Sequence, residues 1–102
     1  AAVGYAADRY EFHNDLGNIY LIQKKYSRAA VEYKKSLELN PSNVDALYNL
    51  ALSYDKQGMW GDALAYYESF VLAAPADYQP VVEKAKERQS FLMRMTTQSN
   101  NN

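Results

Sequence analysis

An internal repeat constrains the fold of this chain more than any other feature of its sequence. Residues 10–43 and 44–77 align without a gap, and the same residue types recur at matching positions. The matched pairs are Leu16/Leu50, Gly17/Ala51, Tyr20/Tyr54, Tyr26/Trp60, Ala29/Ala63, Tyr33/Tyr67 and Pro41/Pro75. A fixed period in the range of about 20–50 residues is typical of proteins in which short structural units stack on their neighbours. The sequence therefore predicts a solenoid.

Each repeated unit is predicted to fold into two antiparallel helices. In the first unit, the small residues Gly17 and Ala29 allow the two helices to approach closely, and Tyr20 and Tyr33 are large enough to fill the space beside that contact. Pro41 ends the second helix, because proline lacks a backbone N–H and disfavours helical conformation in the residue before it. The second unit has residues of the same types at the matching positions. The chain is therefore predicted to be all-α.

Local signals for helix ends predict five helices. Their expected ranges are about 9–23, 27–39, 44–57 and 62–73, with a last helix that begins after Asp77. Side chains that accept hydrogen bonds from backbone N–H groups are favoured at helix starts, and glycine is favoured just past a helix end. The candidates are Asp8 with Glu11 as a capping box, Ser27, Ser42 or Asn43, Gly61 or Asp62, Asp77, and Gly58 as a C-terminal cap.

The spacing within the units also resembles that of a known family. The second unit carries Leu47, Leu50, Ala51, Tyr54, Ala63, Tyr67 and Pro75. This order of large apolar, Leu, small, aromatic, Ala, aromatic and Pro resembles the tetratricopeptide repeat (TPR) pattern. The first unit differs only at His13, where the family usually has a large apolar residue. The resemblance implies a right-handed α-solenoid of antiparallel helix pairs, which serves as a non-catalytic scaffold for protein–protein interaction.

The repeat register and the resemblance together divide the chain. Expected are an N-terminal extension or the stump of an upstream element at 1–9, repeats at 10–43 and 44–77, a C-terminal capping helix at 78–95, and a disordered polar tail at 96–102. The capping helix departs from the repeat pattern, since Arg88 replaces the aromatic residue. Val81, Val82 and Ala85, with Leu92 as a further candidate, form its expected packing face.

In solenoids of this family the first helices of successive repeats line a concave groove, which the resemblance implies as the binding surface for a peptide or a helix. The side chains expected there lie off the Leu, small and aromatic stripe, so the repeat pattern does not require them. These candidates are Asn14, Asn18, Asp45, Tyr48, Asn49, Leu52, Lys56, Gln79 and Lys86.

Asn18 and Asn49 are the most specific of these candidates. An asparagine side chain has both a donor and an acceptor, so it can hydrogen-bond a peptide backbone at two points. The pair falls where chaperone-tail binders of the TPR family keep two groove asparagines. Those relatives also hold a terminal carboxylate with cations, whereas this chain has Asn14, Gln79 and Glu83 at the matching places. Binding of heat-shock chaperone tails is therefore not expected.

More ordinary roles remain open for the groove candidates. Both asparagines could be solvated polar residues on a helix face, and Tyr48 could pack sideways against a neighbouring helix. A second hypothesis for the function is self-association or assembly through the apolar end of the last helix. Its candidate residues are Phe91, Leu92, Met93 and Met95.

Composition and charge argue against several other classes of function. The net charge of −1 gives no basis for binding nucleic acid or an anionic membrane. No apolar run is long enough to span a bilayer as a helix. The basic residues of the first repeat are interrupted by Glu32 and Glu38, as on a solvated helix face. The absence of cysteine excludes disulfides but leaves the compartment open, and both cytoplasm and periplasm are compatible.

No set of residues predicts catalysis, a metal site or a cofactor. His13 is the only histidine, and the chain has no cysteine and no HExxH-type spacing. We expect His13 to be a partly buried framework residue. A Ser/His/acid set and a glycine-rich phosphate loop are also missing. The expected partner is a protein or a peptide.

Overall fold

The computed structural model describes residues 9–100, and the side chains of residues 9–97. Within this range the chain forms five α-helices and no strand. They are α1 (Tyr10–Ile22), α2 (Tyr26–Leu39), α3 (Val44–Lys56), α4 (Trp60–Ala73) and α5 (Gln79–Asn100), with a short 3-10 turn at Ala76–Tyr78. Each helix packs on the next one along the chain. This arrangement confirms the predicted all-α solenoid.

The two turns inside the repeats have the same backbone hydrogen bonds. After α1, Lys24 N–H donates to the Leu21 carbonyl at 3.0 Å, and Lys25 N–H donates to the Tyr20 carbonyl at 2.8 Å. The turn after α3 has both bonds at the matching positions of the second repeat, with Gly58 at the left-handed position (φ +76°). The predicted C-terminal cap at Gly58 is therefore confirmed.

Three helix starts test the predicted N-caps. Asn43 caps α3, since its side chain accepts a hydrogen bond from Ala46 N–H at 3.4 Å, as predicted. The caps predicted at Ser27 and at Gly61 or Asp62 are wrong, because α2 begins at Tyr26 and α4 at Trp60. The N-cap residues are instead Lys25 and Met59, which directly follow the left-handed residues and form no side-chain cap hydrogen bond. Asp8, the other half of the predicted capping box, lies outside the described residues.

A continuous apolar core runs through all four packed helix pairs. Glycine at position 17 is what lets α1 lie against α2, since a Cβ there would lie 2.7 Å from Cε1 of the buried Tyr33. Tyr67 occupies the equivalent place between α3 and α4. The buried apolar residues are Ala29, Ala30, Tyr33, Ala46, Leu47, Leu50, Ala51, Tyr54, Ala63, Tyr67, Phe70, Val82, Ala85 and Leu92.

The last helix caps this core along one face. Val82, Ala85 and Leu92 are buried and Val81 packs against them, which confirms the predicted packing face. Their spacing of three and seven positions places them on one side of the helix. The expected disordered tail at 96–102 is wrong for residues 96–100, because α5 continues to Asn100. Within this extension Thr96 Oγ1 donates to the Leu92 carbonyl at 3.0 Å.

None of the helices in the described part of the chain is both long enough and apolar enough to cross a bilayer.

Candidate functional site

The side chains of α1 and α3 meet at a hydrogen-bonded cluster. Asn18 Oδ1 accepts hydrogen bonds from Tyr33 Oη at 2.5 Å and from Asn49 Nδ2 at 3.4 Å. Both bonds join different helices, since Asn18 lies on α1, Tyr33 on α2 and Asn49 on α3. Burial raises the pKa of Tyr33 to about 12, and the Asn49 side chain opposes part of that rise. The phenol therefore stays neutral and remains a donor at ordinary pH.

This cluster leaves polar atoms of both asparagines available. Both side chains are half-buried. Within the described part of the chain, the Asn18 Nδ2 donors and the Asn49 Oδ1 acceptor have no hydrogen-bond partner. The internal bonds orient both amides, because the Asn18 oxygen accepts from Tyr33 and from Asn49, and the Asn49 nitrogen donates to Asn18. The pair therefore combines a donor and an acceptor, the groups that one peptide unit requires.

Two other predicted groove residues have structural partners. Asn14 Oδ1 accepts from Asn43 Nδ2 at 3.3 Å, and Asn43 also donates to the buried Ser36 Oγ at 3.2 Å. Asp45 is exposed, and its Oδ1 accepts from Tyr78 Oη at 3.1 Å. Asn14 thus supports the junction between the repeats, whereas Asp45 remains accessible beside the turn that leads into α5.

An open cleft of about 630 Å³ lies between α3 and α5, and its lining includes Tyr48, which precedes Asn49 in the chain. Its apolar wall is formed by Tyr48, Leu52 and Tyr67. Tyr48 is half-buried and packs at ring-centroid distances of 5.9 Å from Tyr67 and 5.2 Å from Phe70. The sideways packing considered for Tyr48 therefore occurs, and the same side chain also faces the cleft. The full lining is Tyr48, Leu52, Asp55, Lys56, Tyr67, Lys84, Glu87 and Arg88.

An ion pair joins the two walls of the cleft. Arg88 Nε and Nη2 donate to Asp55 Oδ2 and Oδ1 at 2.7 and 2.8 Å, and Tyr67 Oη donates to Asp55 Oδ2 at 2.9 Å. Burial alone would raise the pKa of the Asp55 carboxyl, but these hydrogen bonds outweigh it and hold that pKa below its usual range. Burial and the Asp55 contact raise the pKa of Tyr67. The group therefore carries one negative and one positive charge, which cancel.

The repeat register holds a signal for this ion pair that the prediction did not use. One repeat earlier, Tyr54 stands at the position that matches Arg88, and Leu21 stands at the position that matches Asp55. Arg88 therefore replaces the aromatic residue of the preceding unit, and Asp55 replaces the aliphatic one. The α5 residues that line the cleft, Lys84, Glu87 and Arg88, were not among the predicted groove residues.

The remaining groove candidates lie around this cleft or beside it. Leu52 and Lys56 line it. Gln79 and Lys86 are exposed on α5 but do not line it, and Gln79 Nε2 instead donates to Glu83 Oε1 on the next turn. We call the asparagine pair and the cleft together the groove. It brings together Asn18, Asn49, Tyr48, Leu52 and Lys56.

The apolar end of α5 is only partly available as a surface. Phe91 and Met93 are exposed, and Arg88 lies over the Phe91 ring at 4.8 Å from its centroid. Met95 is partly buried against the core. Leu92 is fully buried, so its assignment to a self-association surface is wrong. The helical period places Leu92 on the same face as Val82 and Ala85.

His13 lies among framework residues. It is half-buried, as expected, and its Nδ1 lies 2.8 Å from Oε1 of the buried Glu32 on α2. Lys35 Nζ is 3.6 Å from the other oxygen of Glu32. Across the described residues, no three side chains of the His, Cys, Asp and Glu types are grouped as a metal site would require.

The described fold is an array of two helix pairs and a final capping helix, each helix packed on the next, which is the architecture of a helical repeat module. Comparison with protein families agrees. A family described as "TPR repeat" matches residues 17–58, and one described as "Tetratricopeptide repeat" matches residues 45–76. The chain belongs to the tetratricopeptide repeat family. It is a protein–protein interaction scaffold of a generally non-catalytic class.

Curated relatives match over parts of much longer proteins. The chain is 35% identical to the peroxisomal targeting signal receptor of Candida albicans over 80% of its own length and 14% of the relative's. It is 34% identical to stress-induced-phosphoprotein 1 of Caenorhabditis elegans, over 72% of the chain and 24% of the relative. It is 32% identical to the human intraflagellar transport protein 88 homolog, over 60% of the chain and 8% of the relative. The chain thus spans less than a quarter of each.

Proposed function

We propose that the chain binds an extended segment of a partner protein in the groove. The Asn18 amide donates to a backbone carbonyl of that segment, and the Asn49 carbonyl accepts from a backbone N–H. Side chains of the segment pack against Tyr48 and Leu52. The observation that carries this proposal is the Asn18–Asn49–Tyr33 cluster, which fixes both amides and leaves a donor and an acceptor unused.

The physical properties of the groove favour an extended segment. A peptide backbone presents alternating carbonyl and N–H groups that lose their bonds to water on binding, so fixed partners for both reduce that loss. Tyr48 offers a large, rigid apolar surface with little side-chain entropy to lose. One relative is named as a receptor for a targeting signal, which is consistent with recognition of a segment of another protein.

The proposal can be tested with substitutions that preserve the contact between Asn18 and Tyr33 and the ring packing of Tyr48. Asn18→Asp keeps an oxygen that accepts from Tyr33 and removes the amide donors. Asn49→Ala removes one long hydrogen bond, and Tyr48→Phe keeps the ring contacts with Tyr67 and Phe70. A lysate from the source organism would be passed over the native chain and over this triple variant, with mass spectrometry of the retained proteins.

We expect a specific set of proteins on the native chain, and their loss from the triple variant. A matched control carries Val31→Ala, Glu68→Ala and Leu72→Ala, three exposed positions on α2 and α4 outside the groove. It should retain the same proteins. Circular dichroism should give all three chains the same helix content. Equal capture by the native chain and the triple variant would refute the groove as the binding surface.

A second candidate function is self-association through α5, favoured by the exposed Phe91 and Met93. Its test must spare the buried Leu92. Multi-angle light scattering of the native chain would give a mass above that of one 11.6 kDa chain, and Phe91→Ser/Met93→Ser would reduce it to one chain. A native mass of one chain over the micromolar to millimolar range would eliminate this candidate.

A further inference from the structure

The cleft between α3 and α5 has an unbalanced positive charge. Lys56 on α3 and Lys84 on α5 line its two walls and are exposed. Neither lysine forms an ion pair with any residue that the structure describes. Glu87, also on the lining, is likewise unpaired there, and one carboxylate cannot balance two ammonium groups. Lysines on opposite walls repel each other unless an anion lies between them.

The buried carboxylate of the cleft does not supply that anion. Both oxygens of Asp55 accept hydrogen bonds, one from Arg88 alone and one from Arg88 and Tyr67. The Asp55 side chain is only 6% exposed, and it forms its ion pair with Arg88; Lys56 adds a weaker electrostatic attraction without an ion pair. The Asp55–Arg88 pair is neutral as a unit. The two lysines and Glu87 therefore leave a net charge of +1 at the cleft.

The apolar part of the cleft lies on the same helix as one of the lysines. Tyr48, Leu52 and Lys56 follow each other at intervals of four positions on α3, so their side chains share one face of that helix. A cleft of about 630 Å³ falls within the range of volumes that hold small ligands, which leaves room for more than one side chain.

From this charge and this arrangement we infer that the cleft recognises an acidic side chain of the bound segment, placed beside a large apolar side chain. The carboxylate lies between Lys56 and Lys84, and its apolar neighbour packs on Tyr48 and Leu52. This inference rests on the proposed function, because it names the chemistry of the segment that the groove holds.

The spacing along α3 places the acidic residue relative to the backbone contact. Asn49 and Lys56 are seven positions apart on one helix, a rise of about 10 Å. An extended chain covers about 3.3 Å per residue. For a bound segment that runs along α3, the acidic side chain therefore lies roughly three residues from the peptide unit that Asn49 holds. A terminal carboxylate is not needed for this contact.

The inference can be tested with peptide mixtures before any partner is known. The probes are nonapeptide mixtures with fluorescein at the N-terminus and an amidated C-terminus. Their central pair is fixed as Leu-Glu, Leu-Gln or Leu-Lys, and the other positions are random among uncharged residues. A fourth mixture has Leu-Gln and a free C-terminal carboxylate. Fluorescence anisotropy would measure the binding of each mixture at low salt.

We expect the native chain to bind the Leu-Glu mixture about fivefold more tightly than Leu-Gln, the effect of two exposed ion pairs. Leu-Lys should bind more weakly than Leu-Gln. Lys56→Gln/Lys84→Gln should remove the preference, and Lys56→Glu/Lys84→Glu should reverse it. The preference should weaken at high salt, since these charges are exposed. A matched control, Lys86→Glu/Arg94→Glu, changes the net charge of the chain by the same amount outside the cleft and should keep the native preference.

The outcomes separate this inference from the proposed function. If all mixtures bind equally and Asn18→Asp/Asn49→Ala abolishes binding, the groove holds peptides without acidic selectivity, and the inference is overturned alone. If the asparagine variant binds every mixture like the native chain, the proposed function fails first. Tighter binding of the free-carboxylate mixture than of Leu-Glu would show that the cleft takes a chain end instead. No binding of Leu-Glu at millimolar concentration would also overturn the inference.

Discussion

The two repeats have the same apolar framework but use their buried acidic residue differently. In repeat one (residues 10–43), the buried Glu32 pairs with His13, so the contact joins α1 and α2 of one repeat. In repeat two (residues 44–77), the buried Asp55 pairs with Arg88, so the contact joins α3 to α5 of the following unit. The apolar pattern sets how helices pair inside a repeat. The polar contact lies within repeat one, whereas it links repeat two to the following helix.

The two repeats also differ in what covers their first helix. In α3, Ala46 and Ser53 are fully buried (both 0% exposed). The matching residues of α1 are Phe12 and Ile19, which are 40% and 51% exposed. No described helix precedes α1, whereas α2 packs on α3. The same helix type is therefore buried or exposed according to its place in the array.

The largest predicted effect comes from breaking the contact between repeat two and α5. Arg88→Ala leaves the Asp55 carboxylate buried with only Tyr67 as a partner, and removing one member of a buried ion pair is strongly destabilising. Because the Arg88 side chain is 42% exposed, we expect a loss of about 2–3 kcal/mol in the free energy of unfolding. Urea denaturation followed by circular dichroism would measure it.

The matched change in repeat one is Glu32→Gln, which keeps a hydrogen-bonding group beside His13. We expect a loss of about 1 kcal/mol for this variant. Arg88→Lys should lose part of the stability that Arg88→Ala loses, since a lysine cannot form the two-bond contact with Asp55. If Glu32→Gln costs more than Arg88→Ala, the contrast drawn between the repeats is wrong.

The second prediction concerns the close contact between Gly17 on α1 and Tyr33 on α2. In Gly17→Ala the new Cβ would lie 2.7 and 2.9 Å from two carbons of the Tyr33 ring, which is fully buried. Overpacking of this kind costs about 1–3 kcal/mol, partly offset by the better helix propensity of alanine. We expect a net loss of about 1–2 kcal/mol by urea denaturation. In a Tyr33→Leu background the loss should disappear, and its persistence there would exclude this clash as the cause.

The third prediction is that acid destabilises the chain through repeat two. The folded-state pKa of Asp55 is lowered, so its stabilising contribution is present above the unfolded value of about 3.9 and is lost as the pH falls through the lower folded value. Thermal unfolding from pH 6 to pH 2 should show this loss. Arg88→Ala should flatten it, because the hydrogen bonds that lower the pKa are removed. An unchanged acid profile in Arg88→Ala would contradict the assignment.

Alkaline pH should also destabilise the chain, in this case through Tyr33 of repeat one as well. The folded-state pKa of Tyr33 is raised to about 12, so its contribution is present below the unfolded value of about 10 and is lost as the pH rises from there to about 12. Tyr33→Phe should reduce this dependence. Tyr67 shares the direction of the shift, so part of the dependence should remain.

The smallest predicted effect comes from the turns inside the repeats. Lys24 adopts the left-handed conformation (φ +61°) that Gly58 adopts in repeat two (φ +76°). A residue with a Cβ is strained there, whereas glycine is not. We expect Lys24→Gly to raise the free energy of unfolding by about 0.5–1 kcal/mol, and Gly58→Lys to lower it by a similar amount. Changes of the same sign in both variants would refute the equivalence of the turns.

The fold could be predicted from the sequence because it depends on residues that repeat. The residue pairs at matching positions of the two repeats fix the helices, and Gly58 and Asn43 mark two of their ends. The starts at Tyr26 and Trp60 could not be predicted from capping residues, since their N-caps, Lys25 and Met59, form no side-chain cap hydrogen bond. Local propensity also failed at the C-terminus, where a polar sequence continues α5 to Asn100.

The site was less predictable because its contacts depend on distance and orientation. The family pattern placed Asn18 and Asn49 on adjacent first helices, but it could not show that Tyr33 occupies one oxygen of the pair. Asp55 and Arg88 are far apart in the sequence and break the pattern in different units. Each looks like an isolated exposed charge when read alone. The assignment of Leu92 failed because a run of apolar letters does not reveal which of them face the core.

The central claim is that a partner segment lies on Asn18 and Asn49 in the groove. The most direct measurement is a ¹⁵N-edited NMR titration that follows the side-chain amides of both asparagines as the Leu-Glu peptide mixture is added. We expect the largest shifts for those two amides and for backbone signals of residues 45–56 and 84–88. Shifts confined to residues 91–95, or to α2 and α4 with both asparagine amides unchanged, would contradict it.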